Sequence, residues 1–117
     1  MPLSWYNGFS PEQREKGNEW VKEAIASGEL LPLNKVNCTR CGQDKGIRHY
    51  HCEDYSTRDT VVLGSHCLCW RCHMMLHKRI RHPKSFLEYF KQVDNGMQFP
   101  PVYNGGDWRQ LDIHLID

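Results

Sequence analysis

The sequence predicts an α+β fold: a small core of two strands and a helix, held by a side-chain clamp, with helices on its flanks. Three observations predict it. Cys38-Thr-Arg-Cys41 and Cys69-Trp-Arg-Cys72 are two Cys-x-x-Cys knuckles, each offering two thiolates from one tight turn, and together they form the donor set of a tetrahedral structural Zn²⁺. Between the knuckles, apolar and polar residues alternate over short stretches. After the second knuckle the apolar residues recur at helical spacing. The 117 residues make one domain by length, 1–117, small enough that burial alone leaves stability thin and a metal cross-link adds to it.

In chain order, Ser10-Pro11-Glu12-Gln13 opens a helix over 10–27. Ser10 caps, Pro11 suits the first turn, Gln13 reaches back as in a capping box, and Gly28 stops the helix. Trp20, Val21, Ala24 and Ile25 form its apolar side. Leu30 to Val36 reads as a loop interrupted by Pro32, and Gly42 and Gly46 bracket a turn after the first knuckle. Ile47 to Tyr55 alternates as a strand, with Ile47, His49 and His51 on one face and Arg48, Tyr50 and Cys52 on the other. Thr60-Val-Val-Leu63 is β-branched and reads as its partner strand. A helix follows from Trp70 to Arg81 and completes a core over 38–81, and His82-Pro83 breaks it. Another helix over 83–95 buries Phe86, Leu87, Phe90 and Val93 and ends before Gly96. The tail over 96–117 holds Pro100-Pro101 and Gly105-Gly106, then an alternating Leu111, Ile113 and Leu115, a strand or a wrap around the domain.

Cysteine spacing points to metal rather than disulfides. The stretch between Cys41 and Cys69 is longer than the roughly 15–20 residues of a simple zinc ribbon, so the hairpin carries extra content. Cys67, and more weakly Cys52, compete for a place in the Cys38, Cys41, Cys69 and Cys72 set; both otherwise read as small buried hydrophobes. His73 and His77 lie four residues apart, on one face of the helix. With His51 from the strand, or failing that His49, they make a three-imidazole site open on one side, as a catalytic ion requires. The plainer reading packs His73 beside the knuckle, donating to a cysteine sulfur.

No run approaches the ~18 apolar residues of a membrane span. The start, Met-Pro-Leu-Ser-Trp-Tyr, lacks the pattern of a secretory signal. The expectation is a cytoplasmic chain, with the nucleoid as one location, in a reducing compartment where cysteines serve as ligands. Net charge is only +1, which excludes a polycation, but Arg71, Lys78, Arg79, Arg81 and Lys84 follow one another with no acidic residue between. Arg71, Lys78, Arg79 and Arg81 are the expected phosphate contacts; the plainer reading is a solvated helix face. Trp5, Tyr6 and Phe9 read as a hydrophobic staple before the first helix. Trp70 reads as packing over the knuckle and Tyr55 as core.

Tyr50-His51-Cys52-Glu53-Asp54-Tyr55-Ser56, followed by Leu68-Cys69-Trp70-Arg71-Cys72-His73-Met74-Met75-Leu76-His77, resembles a zinc-stabilised HNH endonuclease of the beta-beta-alpha-metal superfamily, over about Cys38 to Arg81. In that family a strand-end residue and two helix histidines hold one divalent ion, an adjacent histidine deprotonates water, and an asparagine orients that base. The resemblance implies His51, His73 and His77 as ligands of a second ion (Mg²⁺, Mn²⁺, Ni²⁺ or Zn²⁺), the four knuckle cysteines as the structural zinc site, and hydrolysis of nucleic-acid phosphodiesters, DNA above all. Two positions depart from the pattern: Cys52 stands where the base often sits, and no asparagine occurs from Thr39 to Asp94. His51 as the base with Glu53, Asp54 or His49 assisting the metal, His66 from the loop, or a site that binds metal without cutting would each accommodate this. The competing function is a non-catalytic zinc module that binds nucleic acid or protein. A redox or metal sensor built on Cys52 and Cys67 lacks a Cys-x-x-Cys pair between them.

Overall fold

The computed structural model describes residues 3–104; the alternating Leu111, Ile113 and Leu115 lie outside the described residues. The first helix, α1 (Pro11–Ser27), forms as its caps dictate. Ser10 Oγ accepts from the Gln13 amide at 3.2 Å, and Gln13 Oε1 accepts from the Ser10 amide at 2.8 Å. At the other end Gly28 takes φ +87°, a left-handed conformation that favours glycine, and its amide donates to Ile25 O.

A 3₁₀ turn at Leu33–Lys35 leads through the first knuckle into β1 (Arg48–His51). The chain then turns into α2 (Arg58–Gly64) before β2 (His66–Cys69), α3 (Trp70–Leu76) and α4 (Pro83–Asp94). The described residues thus form an α+β structure with four α-helices and one two-stranded antiparallel sheet. The register pairs Arg48 with Cys69, His49 with Leu68, Tyr50 with Cys67 and His51 with His66. No helix among the described residues is long and apolar enough to cross a membrane.

The strand expected over Ile47 to Tyr55 is confined to Arg48–His51, and three further sequence expectations change. Thr60 to Leu63 is not the partner strand; it lies inside α2. Thr57 Oγ1 accepts from the Thr60 amide and Thr60 Oγ1 from the Thr57 amide, a capping box made by two threonines. Val61 and Val62 are buried, Val61 among Cys52 and Tyr55 with Trp20 and Val21 of α1 against it, so burial outweighs the weak helix propensity of β-branched residues. The partner strand is His66–Cys69, which runs directly into the second knuckle. Secondly, α3 stops at Leu76 instead of Arg81. Lys78 donates to Met75 O and Arg79 to Leu76 O, the tighter spacing by which helices close. Thirdly, α4 turns Tyr89 inward and leaves Leu87 66% exposed. Phe86, Tyr89, Phe90 and Val93 keep the i, i+3, i+4, i+7 spacing that Leu87 breaks.

Two apolar clusters result. The larger gathers Leu68, Trp70, Met75, Tyr89, Phe90, Val93 and Val102 around the cysteines of the knuckles. Its far wall is the segment after α4: Ile47 donates its amide to Val102 O at 2.7 Å, and Gln43 Nε2 donates to Phe99 O at 3.1 Å. The smaller joins Cys52, Tyr55 and Val61 to Tyr6, Phe9, Trp20 and Val21. Gly17 of α1 is there because a Cβ would stand 2.6 Å from Tyr55 Cδ1.

Candidate metal centres

Cys38 and Cys41 flank a turn in which the Gly42 amide donates to Cys38 O and the Cys38 amide to Gln43 O, each at 2.9 Å. Gly42 takes φ +80° to close it. Cys69 ends β2 and caps α3, its Sγ accepting from the Cys72 amide at 3.5 Å. The four sulfur atoms lie within 4.8 Å of one another, and Cys41 Sγ is 3.7 Å from Cys69 Sγ. Thiolates at tetrahedral corners with bonds of about 2.3 Å stand about 3.8 Å apart, so this pair already has the separation that zinc would impose.

The electrostatics agree. Hydrogen bonds from Cys41, Cys69 and Cys72 pull the Cys38 thiol far below its ordinary value. Cys38, Cys41 and Cys69 in turn push Cys72 far above its own. Four thiols this close cannot all ionise unless a cation compensates them. The Tyr89 hydroxyl, 3.3 Å from Cys72 Sγ, is placed to donate to a thiolate there. Cys67 and Cys52 fall outside the set. Both are buried, and burial raises both thiols, Cys67 to about 11.

A second group forms where α3 meets the end of β1. His73 follows Cys72 directly, and His77 caps the helix C-terminus one turn later. With His51 at the end of β1 they place three ligand nitrogens within 4.8 Å of one another. His73 Nε2 and His77 Nε2 are 3.0 Å apart. Two donors at right angles on an ion with bonds of about 2.1 Å are about 3.0 Å apart, so the separation of these two nitrogens matches that of two ligands on one ion. Burial lowers the pKa of His73 to about 2 and of His77 to about 4, and it lowers His49 and His51 as well. Near neutral pH all four rings are uncharged and keep a lone pair for an ion.

Glu53 organises the rim. Burial pulls its carboxyl up, but hydrogen bonds from His51 and Tyr6 outweigh that and hold it below the ordinary value. A carboxylate only accepts, so His51 Nε2–H donates to Glu53 Oε1 at 3.0 Å and Nδ1 keeps the lone pair. Glu53 Oε2 accepts from the Tyr6 hydroxyl at 2.7 Å and from Arg79 at 3.2 Å. Tyr6 therefore does more than staple α1: its ring also packs 4.9 Å from that of His77.

The sequence brought His51, His73, His77 and the four cysteines to notice, and the structure brings each set together. It places the expected phosphate contacts unevenly. Arg71 is buried at 8% exposure, its Nε donating to Pro100 O at 3.0 Å; it clasps the segment after α4 instead of facing a phosphate, because the first turn of α3 is buried. Arg79 is tied to Glu53, Lys78 is half-buried, and Arg81 is exposed. Glu53 and Tyr6 were the residues that sequence reasoning undervalued. The signal for Glu53 was its place two residues after His51, on the same face of the expected strand. Tyr6 had none, since its contact with Glu53 crosses most of the described N-terminal half. No family model, curated protein or solved structure matches this chain.

Proposed function

We propose that the chain is a metal-dependent HNH-type endonuclease, hydrolysing phosphodiester bonds of DNA on a zinc-stabilised beta-beta-alpha-metal core. One observation carries this reading: a three-imidazole group beside, and separate from, a four-thiol group, each with ligand atoms within 4.8 Å. A purely structural zinc module has no use for the second group. In this reading Cys38, Cys41, Cys69 and Cys72 hold zinc, and His51, His73 and His77 hold a divalent ion. Bound there, such an ion stabilises the charge that grows on the phosphate and on the leaving 3′-oxygen.

The protein's own groups supply the rest. Glu53 holds His51 by one nitrogen and so fixes which one faces the site. Cys52 is buried and its thiol is raised, so it is no base. His66 is the remaining imidazole at the rim, paired with His51 across the sheet, with ring centroids 5.7 Å apart. It takes the proton from water in this reading. Arg81, Lys78 and Lys84 meet the strand's phosphates.

Plasmid cleavage with added Mg²⁺, Mn²⁺ or Ni²⁺ tests the proposal. His51→Ala and His77→Ala should abolish cleavage with zinc retained, and His66→Ala should slow it about 10²- to 10⁴-fold, the usual worth of a general base. Cleavage that survives in His51→Ala and His77→Ala would sink the reading. The second reading, a zinc module that binds without cutting, rests on the cysteine at position 52 and the missing asparagine. One zinc per chain, with no metal-stimulated nicking, would establish it.

A further inference from the structure

We propose that His49 is a positioning residue that decides which nitrogen of His73 is free to bind an ion; this rests on the metal reading of the imidazole group. The two nitrogens of His73 meet different partners. Nε2 faces His77 Nε2 at 3.0 Å, and Nδ1 faces His49 Nδ1 at 3.2 Å. A neutral imidazole carries one hydrogen. A His73 that offers Nε2 to an ion must carry that hydrogen on Nδ1, where it points at His49. His49 can accept it only with its own hydrogen on Nε2. That is the ordinary form of imidazole in water, whereas the Nδ1–H form required of His73 is the scarcer one. Contact with His49 is what selects it.

The fold makes this arrangement specific. His49 and His51 lie on the same face of β1, two residues apart, with Leu68 and His66 opposite them on β2. Both rings pack against His73, each with its centroid 5.1 Å away. Yet the ligand group comprises His51, His73 and His77 without His49, so His49 acts on an ion through His73. On its outer side His49 lines an open groove of about 300 Å³ with Asn18, Val21, Lys22 and Tyr50. Glu53 does the corresponding work for His51, so two of the three rings have a partner that sets their tautomer.

The experiment uses the full chain loaded with one zinc per molecule, which leaves the imidazole group open. Long-range ¹⁵N–¹H correlation spectra read the tautomer of each ring. Calorimetric titration with Ni²⁺ reads the affinity of the imidazole group, with zinc retention followed by elemental analysis. His73 should carry Nδ1–H in the wild type. His49→Ala should return it to Nε2–H and weaken Ni²⁺ binding about 10- to 100-fold. His49→Gln, which keeps an acceptor on β1, should recover most of the loss. Equal Ni²⁺ affinity in wild type and His49→Ala overturns the role of His49, as does Nε2–H on His73 of the wild type, a result that needs no variant to fold. A wild type that binds no Ni²⁺ beyond its zinc overturns the metal reading itself.

Discussion

At Glu53 one carboxylate meets three side chains, and its charge matters to each. His51 and Tyr6 donate to it, and Arg79 pairs with it. Glu53→Ala removes both the acceptor and the charge, leaving Arg79 without its carboxylate at the rim and His51 free to turn its other nitrogen outward. The expected result is a 10- to 100-fold loss of divalent-ion affinity with zinc retained, read by calorimetry; an unchanged affinity would show that Glu53 does not orient His51. The imidazoles make a second prediction, in pH. His73 and His77 are held near 2 and 4, below the ordinary histidine value of about 6.5. Above pH 6.5 both folded and unfolded chains leave these rings neutral, and their contribution is constant. Below it the unfolded chain binds protons that the folded chain resists, so stability falls as pH falls, by up to about 1.4 kcal/mol per unit per ring. Thermal melts between pH 7 and 5 should show this decline, with a shallower slope in His77→Gln; parallel slopes would contradict it. Gly17→Ala gains about 1 kcal/mol of helix propensity, but its methyl would meet a buried ring at 2.6 Å. Overpacking costs about 1–3 kcal/mol, so a lower melting temperature is expected.

Elements were legible in the sequence where their signals were local. The bounds of α1 follow from Ser10, Pro11, Gln13 and Gly28, all within a turn of the ends they define. α4 was equally plain, since Pro83 starts it and Gly96 follows it. α2 was not, because Thr60-Val-Val-Leu63 has strand composition and becomes helical only when Thr57 caps it and Val61 finds α1. Thr57→Ala should cost about 1 kcal/mol, seen as faster hydrogen exchange confined to α2; protection unchanged there would mean that packing on α1 alone holds the helix. The site divides in the same way. His73, His77 and the knuckles have fixed spacing along the chain, so their chemistry was readable. The contacts of Tyr6 with Glu53 and of Arg71 with Pro100 join distant segments, and no local pattern encodes them.

For the whole molecule the thiol group is the centre of the larger cluster rather than an ornament on it. Cys38, Cys69 and Cys72 are themselves buried there with Leu68, Trp70 and Met75. Structural zinc contributes on the order of 10–16 kcal/mol to small metal-folded units, about the whole stability of an ordinary domain. Cys69→Ser, or prolonged exposure of the wild type to a strong chelator, should therefore give a chain without a cooperative melt; an intact transition in both would refute the structural role of the metal.

Cys72 and His73 are consecutive residues on α3, a helix of only seven residues. One short rod thus carries a donor of each centre, and neither can be displaced alone. On the proposed reading, an ion on the thiolates would add to the packing that holds this rod, and so would favour an ion on the imidazoles it carries. On that reading a newly made chain short of zinc, or one with oxidised knuckles, would hold the second ion less well.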